Sequence, residues 1–456
     1  MLPERLFRPK QNTCGTYTNN LEEMMSSGAF DALKEHIDNI WLVDTHEHIG
    51  LEEGYLKPEP YGIDFSRFFI HYASVDLVSA GLPADQLSKI RSPKTPIDEK
   101  WSLFEPYWEK AKNTAYCKSV DLAIKEIFDF PGLTKDTYKL LAEKMSEMLK
   151  PGYYRHILKD KSKIAISINN IRRTDLDREL FVPVLSLDGY VMVSTRHDLA
   201  GLERSSGMSI YSLDDMVRAM AKEFEMMLAN GIVALKSPIA YQRTLYFEYP
   251  SKSEAENSFN NLFTERGFYR DDGLHGIPHG AAKPFQDYMF HKIVQLCVEH
   301  DLPMQIHTGI QEGNGNYLAQ SNPVLLSDIF MKYPKARFDI FHAGYPYWDE
   351  LGLMAKMFPG VHADLCWTNI ISPVATRRAL NEWLELMPAS KIFAFGGDYC
   401  FVEGACSHAK FARYNVTKVL ADKVDDGYFT LEDAKKISDR ILRENAKEFF
   451  RLDLKQ

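Results

Sequence analysis

The chain of 456 residues has little cysteine: six residues, Cys14, Cys117, Cys297, Cys366, Cys400 and Cys406, with no CxxC pair among them. That is too sparse for a disulfide scaffold and points to free thiols in a reducing cytoplasm. It also lacks a basic excess. Lys and Arg number 54 against 63 Asp and Glu, a formal net charge of −9, and no dense Lys/Arg block occurs. Nucleic acid is therefore not an expected partner. No apolar run approaches the ~18 residues of a membrane span, and the first residues, MLPERLFRPK, contain no apolar stretch of signal-peptide length. A membrane is not expected as a partner either. Also missing are internal repeats, low-complexity tracts, a phosphate-cradling GxxxxGK[ST] loop and a dinucleotide fingerprint after a strand. No Ser/Cys–His–Asp pattern offers a nucleophile. What remains, 45% hydrophobic, 26% charged and 12% aromatic residues, is ordinary globular composition with ample material for a core.

A recurring unit is present: a short apolar strand, a polar residue at its end, then a helix-length segment. The strands are expected at 40–45 (IWLVDT), 163–168 (KIAISI), 180–185 (LFVPVL), 232–235 (IVAL), 304–306 (MQI), 337–341 (RFDIF), 361–365 (VHADL) and 391–395 (KIFAF). Near-continuous apolar strands separated by helices read as a parallel sheet buried on both faces. Helices are expected at 213–230, stopped by Asn230-Gly231, and at 283–300. Eight such steps indicate an α/β fold, a distorted (β/α)8 TIM barrel forming a single domain over 1–456. Two insertions enlarge it, a mostly helical one at about 50–160 and a loop-rich one at about 246–282. Both leave the carboxyl ends of strands and are expected to form a lid or wall.

Several strand ends carry metal-type ligands. Strand one ends Asp44-Thr45-His46-Glu47-His48. Residues two apart share a side, so His46 and His48 point one way and Glu47 the other. His307 follows strand five, His342 strand six and Asp398 strand eight. Each alone is weak, but joint occurrence at equivalent ends puts five ligands on one rim of a closed barrel. Lys236 at the end of strand four is costly to bury unless paired or modified. It is read as a carboxylated bridge between two metals, as an ammonium for a substrate carboxylate, or as half of a salt bridge. Tyr241 and Arg243, or Arg172 and Arg173, are candidates for an anion clamp. Tyr345, Tyr347 and Trp367 are candidate pocket residues, whereas Cys400 and His362 are expected to have no chemical role.

The pattern resembles the amidohydrolase superfamily: HxH on strand one, Lys on strand four, His on strands five and six, Asp on strand eight. ALKSPIAYQR (234–243), QIHTGIQEGNG (305–315), SNPVLL (321–326) and FHAGYPY (341–347) resemble the amidohydrolase-related branch, in particular the amidohydrolase-like half of glutamine synthetase-type fusion proteins. The large first insertion is more distantly similar to uronate isomerases. The resemblance implies hydrolysis by a metal-activated water; with the free thiols, the expected protein is a cytoplasmic hydrolase of a small polar amide or lactone that carries a carboxylate. The resemblance leaves the metal count open, and one Zn2+ on His46, His48, His307 and Asp398 is the expected set. Asp398 would then shuttle the proton, with His342 and Lys236 acting on the substrate. A two-metal arrangement that adds Lys236 and His342 is the other ligand set. Uronate-isomerase-like or decarboxylase-like carbonyl chemistry, and a non-catalytic metal-binding barrel, are the alternatives in function. A homodimer is the expected assembly on general grounds.

Overall fold

The computed structural model describes residues 28–193, 196–263 and 280–454. Its eight strands are β1 Leu42–Glu47, β2 Ile164–Asn169, β3 Phe181–Pro183, β4 Leu235–Ser237, β5 Met304–Ile306, β6 Phe338–Ile340, β7 Val361–Asp364 and β8 Ile392–Phe393. All pair in parallel, β1-β2-β3 in one run and β4-β5-β6-β7-β8 in the other. Backbone hydrogen bonds cross both gaps. Leu185 bridges Leu235, and the Lys236 N–H donates to Leu185 O at 2.8 Å. At the other gap the Thr45 N–H donates to Phe395 O, the Asp398 N–H to His46 O at 2.7 Å and the His48 N–H to Tyr399 O. The eight strands thus follow one another around a distorted α/β barrel, as their apolar runs predict.

The strand positions match the sequence reading to within a few residues. Lys236 lies inside β4 rather than beyond it, and β8 is only two residues long. The helices expected at 213–230 and 283–300 occupy Leu213–Ala229 and Lys283–Glu299. Ser212 caps the first by accepting from the Asp215 N–H, and Gly231 past its end takes φ +77°. At the amino end of the barrel, Val43, Ile166, Ile168, Val184 and Phe393 pack on Phe449 and Phe450 of the carboxy-terminal segment. That end is plugged by apolar side chains, so chemistry is left to the other end.

The first insertion is helical, with helices Ala73–Ser79, Ala84–Arg91, Ile97–Ala111, Ala115–Phe128 and Tyr138–Met148. Phe65, Phe69, Phe104 and Trp108 form its own aromatic core. It returns to the barrel mouth at His71 and Tyr72, which makes it the expected wall. The second insertion is described over 246–263 and 280–282. Its described part carries helix Lys252–Asn260, which packs on helix Lys283–Glu299; none of residues 246–263 lines the mouth. The turn-prone stretch RDDGLHGIPHGAAKP (270–284) lies largely outside the described residues.

Candidate metal centre

A cavity of about 1090 Å³ opens at the carboxyl ends of the strands, bordered by His48, His71, Tyr72, Lys236, His307 and Asp398. Asp398 reaches this cavity because the strand-eight end is tied to β1. The Gly397 N–H donates to Asp44 Oδ1 at 3.0 Å and the Tyr399 N–H to Glu47 Oε2 at 2.6 Å. The Tyr72 hydroxyl donates to Asp398 O at 2.6 Å. Glu47, which points away from His46, therefore has a purpose of its own. Burial, then the neighbouring Asp44, pushes its carboxyl well above the usual range. Gly397 admits this approach because it lacks a side chain: a Cβ there would lie 1.8 Å from Glu47 Oε1.

The structure brings His46, His48 and Asp398 together. Asp398 Oδ1 lies 3.2 Å from His48 Nε2 and 4.0 Å from His46 Nε2. The far oxygen, Oδ2, lies 3.7 Å from His342 Nε2. Among the described residues two triads have metal-ligand spacing, His46–His48–Asp398 and His342–Cys366–Asp398, with Asp398 common to both. His307 belongs to neither. Its Nδ1 faces His342 Nε2 at 3.0 Å. The quartet expected for one metal is thus divided in this structure, with His307 on the His342 side.

The donor set fits a cation on its own chemistry. A carbonyl oxygen only accepts, so the ring nitrogen facing it carries the proton. His48 Nδ1 donates to Asn170 O at 2.8 Å, His307 Nε2 to Ile310 O at 2.9 Å and His342 Nδ1 to Cys366 O at 3.0 Å. His46 Nδ1 faces Gln305 Oε1 at 3.0 Å. The amide of Gln305 is oriented by its Nε2 donating to Thr45 O and Asp339 Oδ2, so His46 Nδ1 is also the N–H. Every inward nitrogen is therefore a lone pair, and the inward group on strand eight is a carboxylate. Burial lowers the pKa of His46 and His307 far below the ordinary imidazole value and that of His342 to about 4, so the rings are neutral. His46 Nε2 is buried and has no hydrogen-bond partner among the described residues. Lone pairs and a carboxylate crowded without a donor between them are what a divalent cation satisfies. The separations of 3.2 and 4.0 Å bracket the edge of a tetrahedral zinc site, ~3.3 Å from bonds of 2.0–2.1 Å.

For Asp398 burial pulls the pKa up, but the imidazoles of His48, His342 and His46 around it outweigh burial and hold it well below the usual range. The backbone is strained here: Asp398, His342 and Trp367 take φ of +56°, +62° and +66°.

Lys236 is buried, and its Nζ lies 3.4 Å from the centroid of Phe341. It makes no hydrogen bond or ion pair among the described residues, which removes the salt-bridge reading. Burial lowers its pKa to about 8, opposed by Asp398. Tyr241 borders the same cavity, and its hydroxyl accepts from the Glu312 N–H at 2.9 Å. Arg172 and Arg173 line the cavity too, although Arg173 is paired with Asp175.

Arg243 corrects the sequence reading. It is 2% exposed and bound to Asp287 at 2.5 Å, Gln286 and the carbonyls of Thr244 and Tyr246. The turn at Ile239–Tyr241 sends Tyr241 toward the cavity and Arg243 away from it. Tyr345 and Trp367 border a smaller adjoining cavity, whereas Tyr347 borders neither. Burial raises Cys400 to about 12, which leaves it a thiol. His362 stacks on Phe393 at the plugged end, as expected.

The sequence reading missed Cys366, His71, Tyr72 and Gln305. Cys366 follows β7 as His342 follows β6, so the strand-end rule would have found it. Gln305, within β5, alternates with His307 but carries no signature of its own. His71 and Tyr72 belong to the insertion, where no periodic signal marks them.

A sequence model of the family "Amidohydrolase" matches residues 265–452. The chain is similar to the amidohydrolases. It is also 27% identical over 234 residues, 49% of its length, to Protein fluG of Emericella nidulans, and it spans about a quarter (26%) of that relative's length. Among solved structures, uronate isomerase from Thermotoga maritima superposes with a TM-score of 0.77 at 15% identity, over 95% of this chain and 100% of the other. Glucuronate isomerase from Caulobacter crescentus gives 0.75 at 16%, over 96% and 98%. A candidate metal-dependent hydrolase from Lactobacillus casei gives 0.61 at 18%, over 92% and 97%. At these identities the structural likeness establishes the fold alone, a distorted α/β barrel.

Proposed function

We propose that the protein is a zinc-dependent hydrolase of a small polar amide or lactone that carries a carboxylate. The observation that carries the reading is the set of inward lone pairs converging on Asp398, each fixed by an acceptor on the opposite side of its ring. His46, His48 and Asp398 would hold the ion, with His307 and His342 opposite. Such an ion lowers the pKa of a water from 15.7 to about 7 and polarises a carbonyl. Asp398, kept ionised by its histidines, takes the proton of the attacking water and returns it to the leaving group. His342, held in one tautomer by Cys366 O, presents the Nε2 lone pair to the site, where it would hold the ion or accept a proton. Lys236 Nζ, which makes no hydrogen bond or ion pair among the described residues, binds the substrate carboxylate, with Tyr241 bordering the same cavity.

A carboxylated Lys236 bridging two ions is the second arrangement. Two observations favour it: Asp398 is shared by two ligand triads, and an amine lowered to about 8 is more readily neutral for reaction with CO2. Aldose–ketose isomerisation in the same cavity is a second chemistry, supported by His71 and Tyr72 beside Asp398. The five described cysteines are free, which supports a cytoplasmic location. No helix among the described residues is long and apolar enough to cross a membrane.

The test is a screen of zinc-loaded protein against N-acyl amino acids, lactones and uronic acids. Turnover of an amide or lactone that is lost in His46→Ala supports the proposal; isomerisation of a uronic acid with no hydrolysis overturns it.

A further inference from the structure

Beside the catalytic cavity lies a second chamber of about 390 Å³, bordered by Asp76, Tyr116, Glu312, Tyr345 and Trp367. Tyr72 and Glu312 border both spaces, so the chamber adjoins the catalytic cavity. Its size alone is that of a small-ligand pocket.

Three features define what it accepts. The first is a staircase of rings. Tyr72 stacks on Trp367 at 4.4 Å and on Tyr116 at 5.4 Å, with planes within 19°. The second is charge. Asp76 and Glu312 border the chamber, and among the described residues no lysine, arginine or histidine does. Asp76 Oδ2 accepts from the Thr114 hydroxyl at 2.5 Å, and no ion pair involves Asp76 among the described residues. Arg91 acts on Glu312 from outside the chamber. The third is an unspent donor. Trp367 is 1% exposed, and its Nε1–H has no acceptor among the described residues. Aromatic faces beside carboxylates, without a competing cation, select a positively charged nitrogen. The indole N–H favours an oxygen next to it.

We propose that this chamber binds a cationic nitrogen, a primary ammonium on a flat or short apolar stem, as the part of the substrate that departs with the leaving group. The inference rests on the hydrolase reading for its meaning but not for its test. The substrate then spans the metal centre with its carboxylate toward Lys236 and its ammonium toward Asp76.

The experiment measures binding of benzylamine and of neutral benzyl alcohol by ligand-observed NMR at pH 7, in wild type and in His46→Ala. The second protein removes binding of the amine to a metal. Fragments of this size bind with Kd on the order of 1 mM. Benzylamine is expected to bind both proteins at least about fivefold more tightly than benzyl alcohol. Asp76→Asn, which keeps an acceptor for Thr114, is expected to bring that ratio to within about twofold, and Glu312→Gln, at an exposed position, to lower it. Equal binding of the two probes, no binding of the amine, or an unchanged ratio in both variants overturns the proposal. Amide hydrolysis without amine binding removes the chamber's role alone. Amine binding without any hydrolysis removes the hydrolase reading and leaves the chamber.

Discussion

His307 Nδ1 and His342 Nε2 face one another at 3.0 Å, and each ring donates its other N–H to a backbone carbonyl. Two acceptors at that distance repel unless a proton or a cation stands between them. Burial disfavours the proton on either ring. The pair is therefore poised for a cation, and so is the HxH pair across Asp398.

Metal binding follows first. Purified protein is expected to carry zinc by elemental analysis after zinc supplementation, and His46→Ala to lose most of it. Zinc at a hundred times its Kd stabilises the fold by about 2.7 kcal/mol, read as a rise in Tm that chelator reverses. Wild type that stays metal-free after supplementation, with an unmoved Tm, would favour the non-catalytic barrel.

Asp398→Asn retains an oxygen donor but loses the base. Turnover is expected to fall about 10²–10⁴-fold, with bound metal retained in large part. Unchanged turnover would show that the proton is carried by another group.

Gln305 is a positioning residue. Its carbonyl holds His46 Nδ1 as the donor, which leaves Nε2 for the metal. Gln305→Leu is expected to weaken zinc affinity about 10–100-fold, measured by competition with a chromophoric chelator. Gln305→Glu, which restores an acceptor to His46, should recover part of that loss. Equal affinity in wild type and Gln305→Leu would end the argument.

Arg243→Ala leaves the buried Asp287 with the Glu248 N–H and the single cation of Lys283 among the described residues. Unfolding stability is expected to fall by about 3–5 kcal/mol, read from the midpoint of urea denaturation, while KM of the remaining folded enzyme stays put. A raised KM with unchanged stability would restore Arg243 to the substrate.

The barrel and most of the site were legible in the sequence for one reason. In a parallel barrel the carboxyl end of every apolar strand lands on one rim, so His46, His48, His342 and Asp398 could be placed together from linear spacing. Residues past a tight turn could not be placed this way. Tyr241 and Arg243 are two apart, and the 3-10 turn between β4 and Arg243 decides which of them meets the cavity. Partition among ligands was also hidden. Whether His307 sits with the HxH pair or with His342 depends on differences of an ångström, which no pattern of letters encodes. His71 and Tyr72 arrive from an insertion whose path across the barrel mouth depends on its own aromatic core.

The left-handed backbone at His342, Trp367 and Asp398 sets fold and chemistry against each other. Each such residue costs on the order of 1–3 kcal/mol relative to a relaxed backbone. Asparagine or glycine would sit more comfortably at Asp398, so selection for robustness alone would drift toward a sturdier, inert barrel. The carboxylate at that position is the one that selection for heat tolerance, with no selection for catalysis, would discard first.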